Sequence, residues 1–212
     1  MKYTRDEIIT LADEFIRTRG FNAFSYADIA GIMDVRKPAL HYYFPSKADL
    51  GISVIDRELQ KMARLKEEDR DLPGDQQLKK LIEVFFNSSR QGRICLNGSL
   101  APDYTTLPPP MKQKVEEMCR TILDWMAACL EKGRVEGRLS FQGEADDRAL
   151  LVMSGLLSSL LLARVLGGDV FERMIGQLLS DMKADFRVAD LKDDRPEHLE
   201  DEDFTTPNNI HQ

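Results

Sequence analysis

The sequence predicts an all-α fold, and three observations lead to this prediction. Apolar residues recur at helical spacing along most of the chain, and no convincing pair of strands appears. Residue pairs that start helices occur repeatedly near the N-terminus. Glycine and proline interrupt the apolar pattern where helices would end or begin. We therefore expect an N-terminal three-helix head with a helix-turn-helix, followed by a larger helical ligand-binding and dimerisation body.

The head is expected to span residues 1–50. One face of its first helix is an apolar stripe formed by Ile8, Leu11, Ala12, Phe15 and Ile16. Capping boxes mark three helix starts: Thr4 with Glu7, Ser25 with Asp28, and Ser46 with Asp49. Gly20 is placed to end the first helix. After a short second helix, a third begins near Lys37, with Pro38 in its first turn, and ends at Phe44.

The body is expected to span residues 51–188, and residues 189–212 to form an acidic, disordered tail. The helix that begins at the third capping box is predicted to reach about Leu65. Glycines and prolines make the stretch between residues 91 and 109 irregular. Further helices are predicted at about 75–90, 110–136, 144–166 and 169–187.

Composition and charge exclude several classes of protein. A net charge of −7 rules out a polycation that binds nucleic acid through bulk charge, although it permits a local DNA-reading surface. The three cysteines have no zinc-ligand spacing, and we predict no metal and no cofactor. The uncharged run between Arg148 and Arg164 is shorter than the ~20 residues of a membrane span. The N-terminus carries charges where a signal peptide would be apolar. We expect a soluble, cytoplasmic protein that does not contact membranes.

We also expect no enzymatic activity. The chain contains neither a glycine-rich phosphate loop after a strand nor a nucleophile motif. Its imidazoles are His41, in the head, and His198 and His211, in the tail.

Two short helices joined by a three-residue turn, behind a longer helix, have the geometry of a helix-turn-helix, whose second helix enters the major groove of DNA. Arg36 and Lys37 begin that helix, where cations and free N–H groups can meet phosphate. The alternative is an ordinary solvated surface above a packed core. We predict contacts with double-stranded DNA from Ser25, Tyr26, Arg36, Lys37, Ala39, His41, Tyr42 and Lys47.

The most specific part of this motif is the sequence Ala-Leu-His-Tyr-Tyr-Phe-Pro-Ser-Lys at residues 39–47. With the rest of residues 21–50, it closely resembles the DNA-binding region of TetR-family transcriptional repressors. His41 stands where Tyr is commoner in the family, and it keeps a hydrogen-bonding ring. The resemblance covers residues 4–64 in detail. It implies a homodimer that binds a palindromic operator and is released by a small-molecule inducer.

The resemblance also implies a ligand pocket among the central helices of the body. Such a pocket needs apolar walls and a few polar groups, which favours a small apolar inducer. The alternative is that these residues form only the core of a helical domain. The candidate pocket residues are Phe85, Phe86, Cys95, Leu100, Tyr104, Trp125, Met126, Cys129 and Met153.

Cys95 is, in addition, a candidate thiol sensor. Residues 93–100 look like a Gly-Cys-Leu-type segment of a branch of TetR-like regulators, some of which respond to electrophiles or oxidants. A cation such as Arg93 would lower the pKa of the thiol and favour the reactive thiolate. The alternative function is therefore that of a repressor that senses electrophiles through Cys95 without a reversible ligand. The other interpretation of Cys95 is a small buried apolar residue.

The last two helices predict the homodimer interface. Leucines cover more than one face of the segment at 144–166, which is more than the core of one subunit needs. A strip of small residues would let a second helix approach closely: Ser154, Gly155, Ser158 and Ser159. A four-helix interface with two-fold symmetry satisfies both features.

Overall fold

The computed structural model describes residues 3–167 and 169–193. Within these ranges the chain forms nine α-helices and no strand, which confirms the predicted all-α fold. The helices are α1 (Arg5–Arg19), α2 (Tyr26–Met33), α3 (Lys37–Tyr43), α4 (Lys47–Glu68), α5 (Gly74–Arg90), α6 (Leu96–Leu100), α7 (Pro109–Val135), α8 (Ala145–Leu166) and α9 (Val170–Asp181). Short 3₁₀ turns occur at Phe21–Ala23, Tyr104–Thr106 and Val188–Asp190.

The capping boxes begin three of the four helices at the N-terminal end, as predicted. In each, a hydroxyl accepts a hydrogen bond from a backbone N–H of the first turn, and the acidic residue accepts one from the cap residue. Gly20 ends α1 with a φ of 95°, a conformation that favours glycine. The core of the head contains the buried side chains of Ile8, Ala12, Phe15, Ile29, Leu40, Phe44 and Leu50.

The body departs from the predictions at three places. The stretch predicted to be irregular contains α6 and a 3₁₀ turn. The last helix ends at Asp181, earlier than predicted, because Lys183 adopts a left-handed φ of 49° and redirects the chain. The tail predicted from residue 189 begins with a packed segment, since Leu191 is buried. Residues 194–212, which make up the rest of that tail, lie outside the described residues.

Helix α4 joins the head to the body. Residue 50, the predicted boundary, lies inside this continuous helix, which packs against α1 at the head and against α7 in the body. The body is built from α5, α7, α8 and α9. Helix α5 packs against α7, α7 against α8, and α8 against α9. Helix α1 also packs against α6, which gives the head a second contact with the body.

Candidate functional site

Helices α2 and α3 form a helix-turn-helix. Asp34 ends α2 in the left-handed conformation (φ 50°, ψ 49°), and Val35 N–H donates to the Ala30 carbonyl at 3.0 Å. This tight turn places the start of α3 directly beside α2. Leu40 and Phe44, each 1% exposed, anchor α3 in the core of the head. The opposite side of α3 is therefore left to solvent.

The solvent side of this motif carries most of the predicted contact residues. Arg36 is the N-cap of α3 without a side-chain cap bond, and Lys37 is the first residue of the helix; both are exposed. Ala39 and Tyr42 are exposed as well, Tyr42 at 74%. A shallow groove of about 510 Å³ lies at the start of α3 and is lined by Ala27, Ala30, Gly31, Asp34, Val35, Arg36 and Lys37. Its small side chains leave room for the close approach of another molecule.

Tyr26 and His41 form a contact that supports α3. Tyr26 is buried, and its hydroxyl donates to the carbonyl oxygens of Phe44 at 2.9 Å and Ser46 at 2.6 Å. Burial, and then the charge of Asp49, raises the pKa of Tyr26 to about 12. The exposed His41 ring lies edge-on to it at 4.8 Å. His41 Nδ1 lies 3.1 Å from the Pro45 carbonyl, an acceptor, so Nδ1 carries the proton and Nε2 remains available.

Lys47 and Ser25 are also held by contacts within the head. The Lys47 ammonium group donates to the carbonyl oxygens of Phe21 and Phe24 and lies over both rings, at 4.5 and 4.2 Å from their centroids. Partial burial lowers the pKa of Lys47, against the opposing effect of Asp103 and Asp28. Ser25 is the N-cap of α2 and stays exposed. The structure thus holds the Lys47 ammonium against the connection between α1 and α2.

Ile32 is an exposed residue of the motif that sequence reasoning missed. Its side chain on α2 is 60% exposed, although an apolar residue in a helix is ordinarily assigned to the core. Its position in the helical repeat, between the buried Ile29 and Met33, could have indicated an outward orientation.

Only part of the predicted ligand pocket lines one cavity. A cavity of about 30 Å³ lies between α4, α5, α6 and α7, and of the predicted residues it is lined by Phe85, Cys95 and Trp125. The Trp125 indole N–H is buried there, and no described residue accepts a hydrogen bond from it. A cavity of this size accommodates about one water molecule, whereas ligand pockets measure roughly 300–1,000 Å³. This cavity is therefore too small for a ligand of that kind unless it enlarges.

The remaining predicted pocket residues lie outside this cavity. Five of them are buried in the core: Phe86, Leu100, Met126, Cys129 and Met153. Tyr104 is half-buried, in the 3₁₀ turn before α7, and its hydroxyl donates to the Glu116 carboxylate. Residues of α4 that were not predicted, Glu58 and Met62, complete the cavity wall.

Cys95 lines the cavity and is the N-cap of α6. Its side chain is buried, and burial raises the pKa of the thiol to about 11, against the smaller lowering effects of the Gly98 N–H and the Arg17 charge. The nearby Arg93 is directed to Glu14 instead, at 2.8 Å. In this conformation Cys95 is a protonated, shielded thiol.

Polar contacts between head and body were not predicted from the sequence. Arg17 of α1, which is also paired with Asp13 of the same helix at 2.8 Å, contacts Glu58 of α4 at 3.0 Å. Its carbonyl oxygen accepts hydrogen bonds from the Ile94 N–H and from Arg164 of α8. A second junction joins Asn22, between α1 and α2, to Asp103 and Thr106 of the body. Residues this distant in sequence share no local pattern, so only the fold brings them together.

One face of α8 is apolar and exposed. Its exposed side chains recur every three to four residues and include Leu150, Leu151, Leu161, Leu162 and Val165, with Ser154 and Ser158 between them. Of the described helices, α8 is the one long and apolar enough to cross a membrane, with a mean hydropathy of 2.1 over 18 residues. The uncharged run between Arg148 and Arg164 is too short to span a membrane. Helix α8 still meets the criterion of length and hydropathy because its apolar segment continues past Arg164. Such a helix is weak evidence of a membrane span, since core helices of soluble proteins pass the same test.

Comparison with known proteins matches the head to a family of regulators. The sequence model described as "Bacterial regulatory proteins, tetR family" matches residues 8–54, which contain the helix-turn-helix. The transcriptional repressor NemR of Escherichia coli (strain K12) is 22% identical over 168 residues, which cover 76% of this chain and 84% of NemR.

The whole fold is shared with solved structures. A TetR-family regulator from Agrobacterium tumefaciens superposes with a TM-score of 0.77 and 28% identity, covering 84% of this chain and 96% of that one. The reduced form of E. coli NemR superposes with a TM-score of 0.72 and 20% identity, covering 85% and 97%. The match of the head and the match of the fold lead to the same assignment. Residues 8–54 are thus similar to the DNA-binding head of the tetR family of bacterial regulatory proteins, and the whole chain has the fold of TetR-family transcriptional regulators.

Proposed function

We propose that this chain is a cytoplasmic repressor that binds a palindromic operator as a homodimer and is released by a small molecule. The observation that carries this proposal is the exposed start of α3, where Arg36 and Lys37 line an open groove and Ala39 is exposed. Because α3 is anchored by its buried side, it can present these residues without changing its position in the head. The similarity to NemR, a repressor by name, supports repression.

We assign different tasks to the predicted contact residues. Arg36 and Lys37 are placed for phosphate, and Ala39, His41 and Tyr42 for base edges in the major groove. Ser25 can contact the DNA backbone at the start of α2. Tyr26 and Lys47 act mainly by holding α3 and the α1–α2 connection in position, since their polar atoms already have partners in the head.

A homodimer follows from the exposed face of α8. The leucines on this face, together with Val165, would lose contact with water against a second copy. The exposed Ser154 and Ser158 leave space for the partner helix between them. A two-fold dimer carries two copies of α3, as a palindrome requires.

Release requires that a ligand change the relation of α4 to the body. Glu58 and Met62 of α4 line the closed cavity, while the first turn of the same helix belongs to the head. A small apolar ligand would enlarge the cavity by moving the flexible Met62 and Met118, with the Trp125 N–H as its polar anchor. Such a ligand releases DNA only if it binds the displaced arrangement of α4 more tightly.

A second candidate function is electrophile sensing through Cys95. The observation that favours it is the position of Cys95 at the same cavity, where a covalent adduct would occupy the space of a ligand. Because Cys95 is buried and burial raises the pKa of its thiol, the adduct would form after the cavity opens to solvent.

The test is binding of the full chain to DNA flanking its own gene, followed by fluorescence anisotropy at several salt concentrations. We expect tight, sequence-preferring binding whose logarithm falls linearly with the logarithm of the salt concentration. The Arg36→Ala/Lys37→Ala variant should lose affinity and reduce that slope by about 0.9 for each phosphate contact removed. A matched control, Arg64→Ala/Lys66→Ala, removes the same two charge types from exposed positions of α4. It should leave the slope unchanged.

Equal slopes for both variants would contradict the proposed interface. The same assay with an electrophile separates the two modes of release. If the electrophile releases the parent from DNA but not Cys95→Ser, the thiol mechanism is identified. If the electrophile releases Cys95→Ser as fully as the parent, the thiol mechanism is excluded.

A further inference from the structure

A polar cleft of about 720 Å³ lies where the head meets the body. Its walls come from α1, α4 and α5, with Arg93 before α6 and Lys192 near the end of the described chain. This volume is within the range of small-molecule sites, roughly 300–1,000 Å³, unlike the closed cavity between α4 and α7. The cleft lies on the side of α4 that faces α1.

The cleft is positively charged in a protein that is acidic as a whole. Its lining carries three carboxylates, those of Asp13, Glu58 and Glu83, and six cationic side chains. The resulting net charge of +3 contrasts with −7 for the chain. The cationic residues are Arg17, Arg57, Lys61, Lys80, Arg93 and Lys192.

The carboxylates are already paired with cations of the cleft. Arg17 contacts both Asp13 and Glu58, and Lys80 contacts Glu83 at 3.5 Å. Within the described part of the chain, Lys61 and Lys192 have no carboxylate within 4.0 Å, and both side chains are exposed. Arg57 shares Asp13 at 3.7 Å, and Arg93 is paired with Glu14, which lies outside the lining, at 2.8 Å. The two amines of Lys61 and Lys192 therefore remain free to take an anion.

The floor of the cleft is polar and buried. Arg17, Glu83 and Ser88 are each less than a tenth exposed. The Glu83 carboxylate accepts a hydrogen bond from the Lys192 backbone N–H at 3.0 Å, which fixes the C-terminal segment at the rim. A ligand would therefore meet a wall held in place by buried polar contacts.

We propose that this cleft binds a small multivalent anion, an organic phosphate or polycarboxylate, as an effector. Lys61 and Lys192 neutralise its charge from α4 and from the C-terminal segment. The ligand would also contact α1, which belongs to the head, and α5, which belongs to the body. It therefore favours one orientation of the head and changes operator affinity by linkage. This coupling rests on the proposed function, whereas the binding of the anion does not.

Anion binding is tested by isothermal titration of the full chain with pyrophosphate and, separately, with citrate at constant ionic strength. We expect one site per chain and an affinity about tenfold or more weaker in Lys61→Ala/Lys192→Ala, because two charge-assisted contacts are lost. The control variant Lys66→Ala/Lys79→Ala removes two lysines that do not line the cleft and should bind like the parent. Tighter binding of pyrophosphate than of citrate would identify a phosphate ligand, and the reverse order a carboxylate. Equal affinity in the parent and the cleft variant, or no binding of either anion, overturns the proposal.

Coupling is tested by operator anisotropy at matched ionic strength with and without saturating pyrophosphate. We expect the anion to change the operator affinity of the parent by about fivefold or more and to leave that of the cleft variant unchanged. Anion binding without any change in DNA affinity overturns the effector role. Failure of the proposed function gives a different result: the parent would then fail to bind DNA even in the sample that contains no anion.

Discussion

The Tyr26 hydroxyl is shared between two carbonyl oxygens, those of Phe44 and Ser46, at the point where α3 ends and α4 begins. Tyr26→Phe removes this donor and leaves both carbonyls short of a partner. We expect the free energy of unfolding in urea to fall by about 1–2 kcal/mol. Tyr42→Phe is the control, since Tyr42 is 74% exposed, and should change stability by less than about 0.5 kcal/mol. Equal losses in the two variants would contradict the bracing role of Tyr26.

The same residue makes stability depend on pH in the alkaline range. The pKa of Tyr26 is raised from 10.0 to about 12, by burial first and by Asp49 second. The unfolded chain therefore loses this proton before the folded chain does. The contribution is complete below pH 10 and is lost as the pH rises towards 12. Urea titrations from pH 9 to 12 should show a shallower fall in stability for Tyr26→Phe than for the parent; parallel curves would contradict the assignment.

The three cysteines should differ in reactivity. Cys95 and Cys129 are buried, and burial raises their pKa values to about 11 and about 12, whereas Cys119 is half-buried. Because the thiolate is the reacting form, iodoacetamide at pH 8 should label Cys119 before the other two. Mass spectrometry of tryptic peptides measures the order, and labelling in urea supplies the reference in which all three react. Early labelling of Cys95 in the folded protein would favour the thiol-sensing candidate.

At the scale of elements, α5 and α7 are in close backbone contact where Gly74 faces Gly133. A Cβ atom built on Gly74 would lie 2.2 Å from the Gly133 backbone nitrogen and 2.6 Å from the Cys129 carbonyl oxygen. Backbone atoms cannot yield as the end of a flexible side chain can. Because Gly74 and Gly133 have no side chains, the N-terminus of α5 can pack directly against the backbone of α7.

Gly74→Ala should destabilise the protein by about 1–3 kcal/mol, because the two helices must separate to admit a methyl group. Gly176→Ala in α9 is the matched control, since its nearest neighbour, Val188 Cγ2, lies at an ordinary 3.8 Å. This control should be neutral or stabilising by up to about 1 kcal/mol, as alanine favours the helix. Urea denaturation at one protein concentration compares them, and a neutral Gly74→Ala would contradict the close packing.

At the scale of the whole molecule, the exposed face of α8 is the proposed dimer interface. Leu162→Glu/Val165→Glu places two carboxylates on this face, and burying them against a second copy would be costly. We expect the parent to sediment as a dimer and this variant as a folded monomer with strongly reduced operator affinity. Analytical ultracentrifugation and circular dichroism measure the two properties.

Val135→Glu is the control for this experiment. Val135 is 78% exposed and is the last residue of α7, so it is not part of α8. The substitution should leave the dimer intact. A monomeric parent, or a dimer that survives both α8 substitutions, would contradict the proposed interface.

The capping boxes, the amphipathic stripe of α1 and the proline in the first turn of α3 determined the head from the sequence. Each is a local signal, since the interacting groups lie within four residues of one another. The length of α9 and the presence of α6 were not determined in this way. They depend on a left-handed Lys183 and on packing of α6 against α1 and α7, which short-range patterns do not encode.

The sequence by itself therefore determined the fold class, the helix-turn-helix and the family to which its motif belongs. Tertiary structure decided which residues are free to act. It turned Tyr26 and Lys47 inward, closed the central cavity around Cys95 and Trp125, and opened a charged cleft beside Arg17. The physical reason is the range of the interactions. A cap or a helical stripe is fixed by neighbours in sequence, whereas burial, ion pairing and cavity volume depend on helices that meet only after the chain has folded.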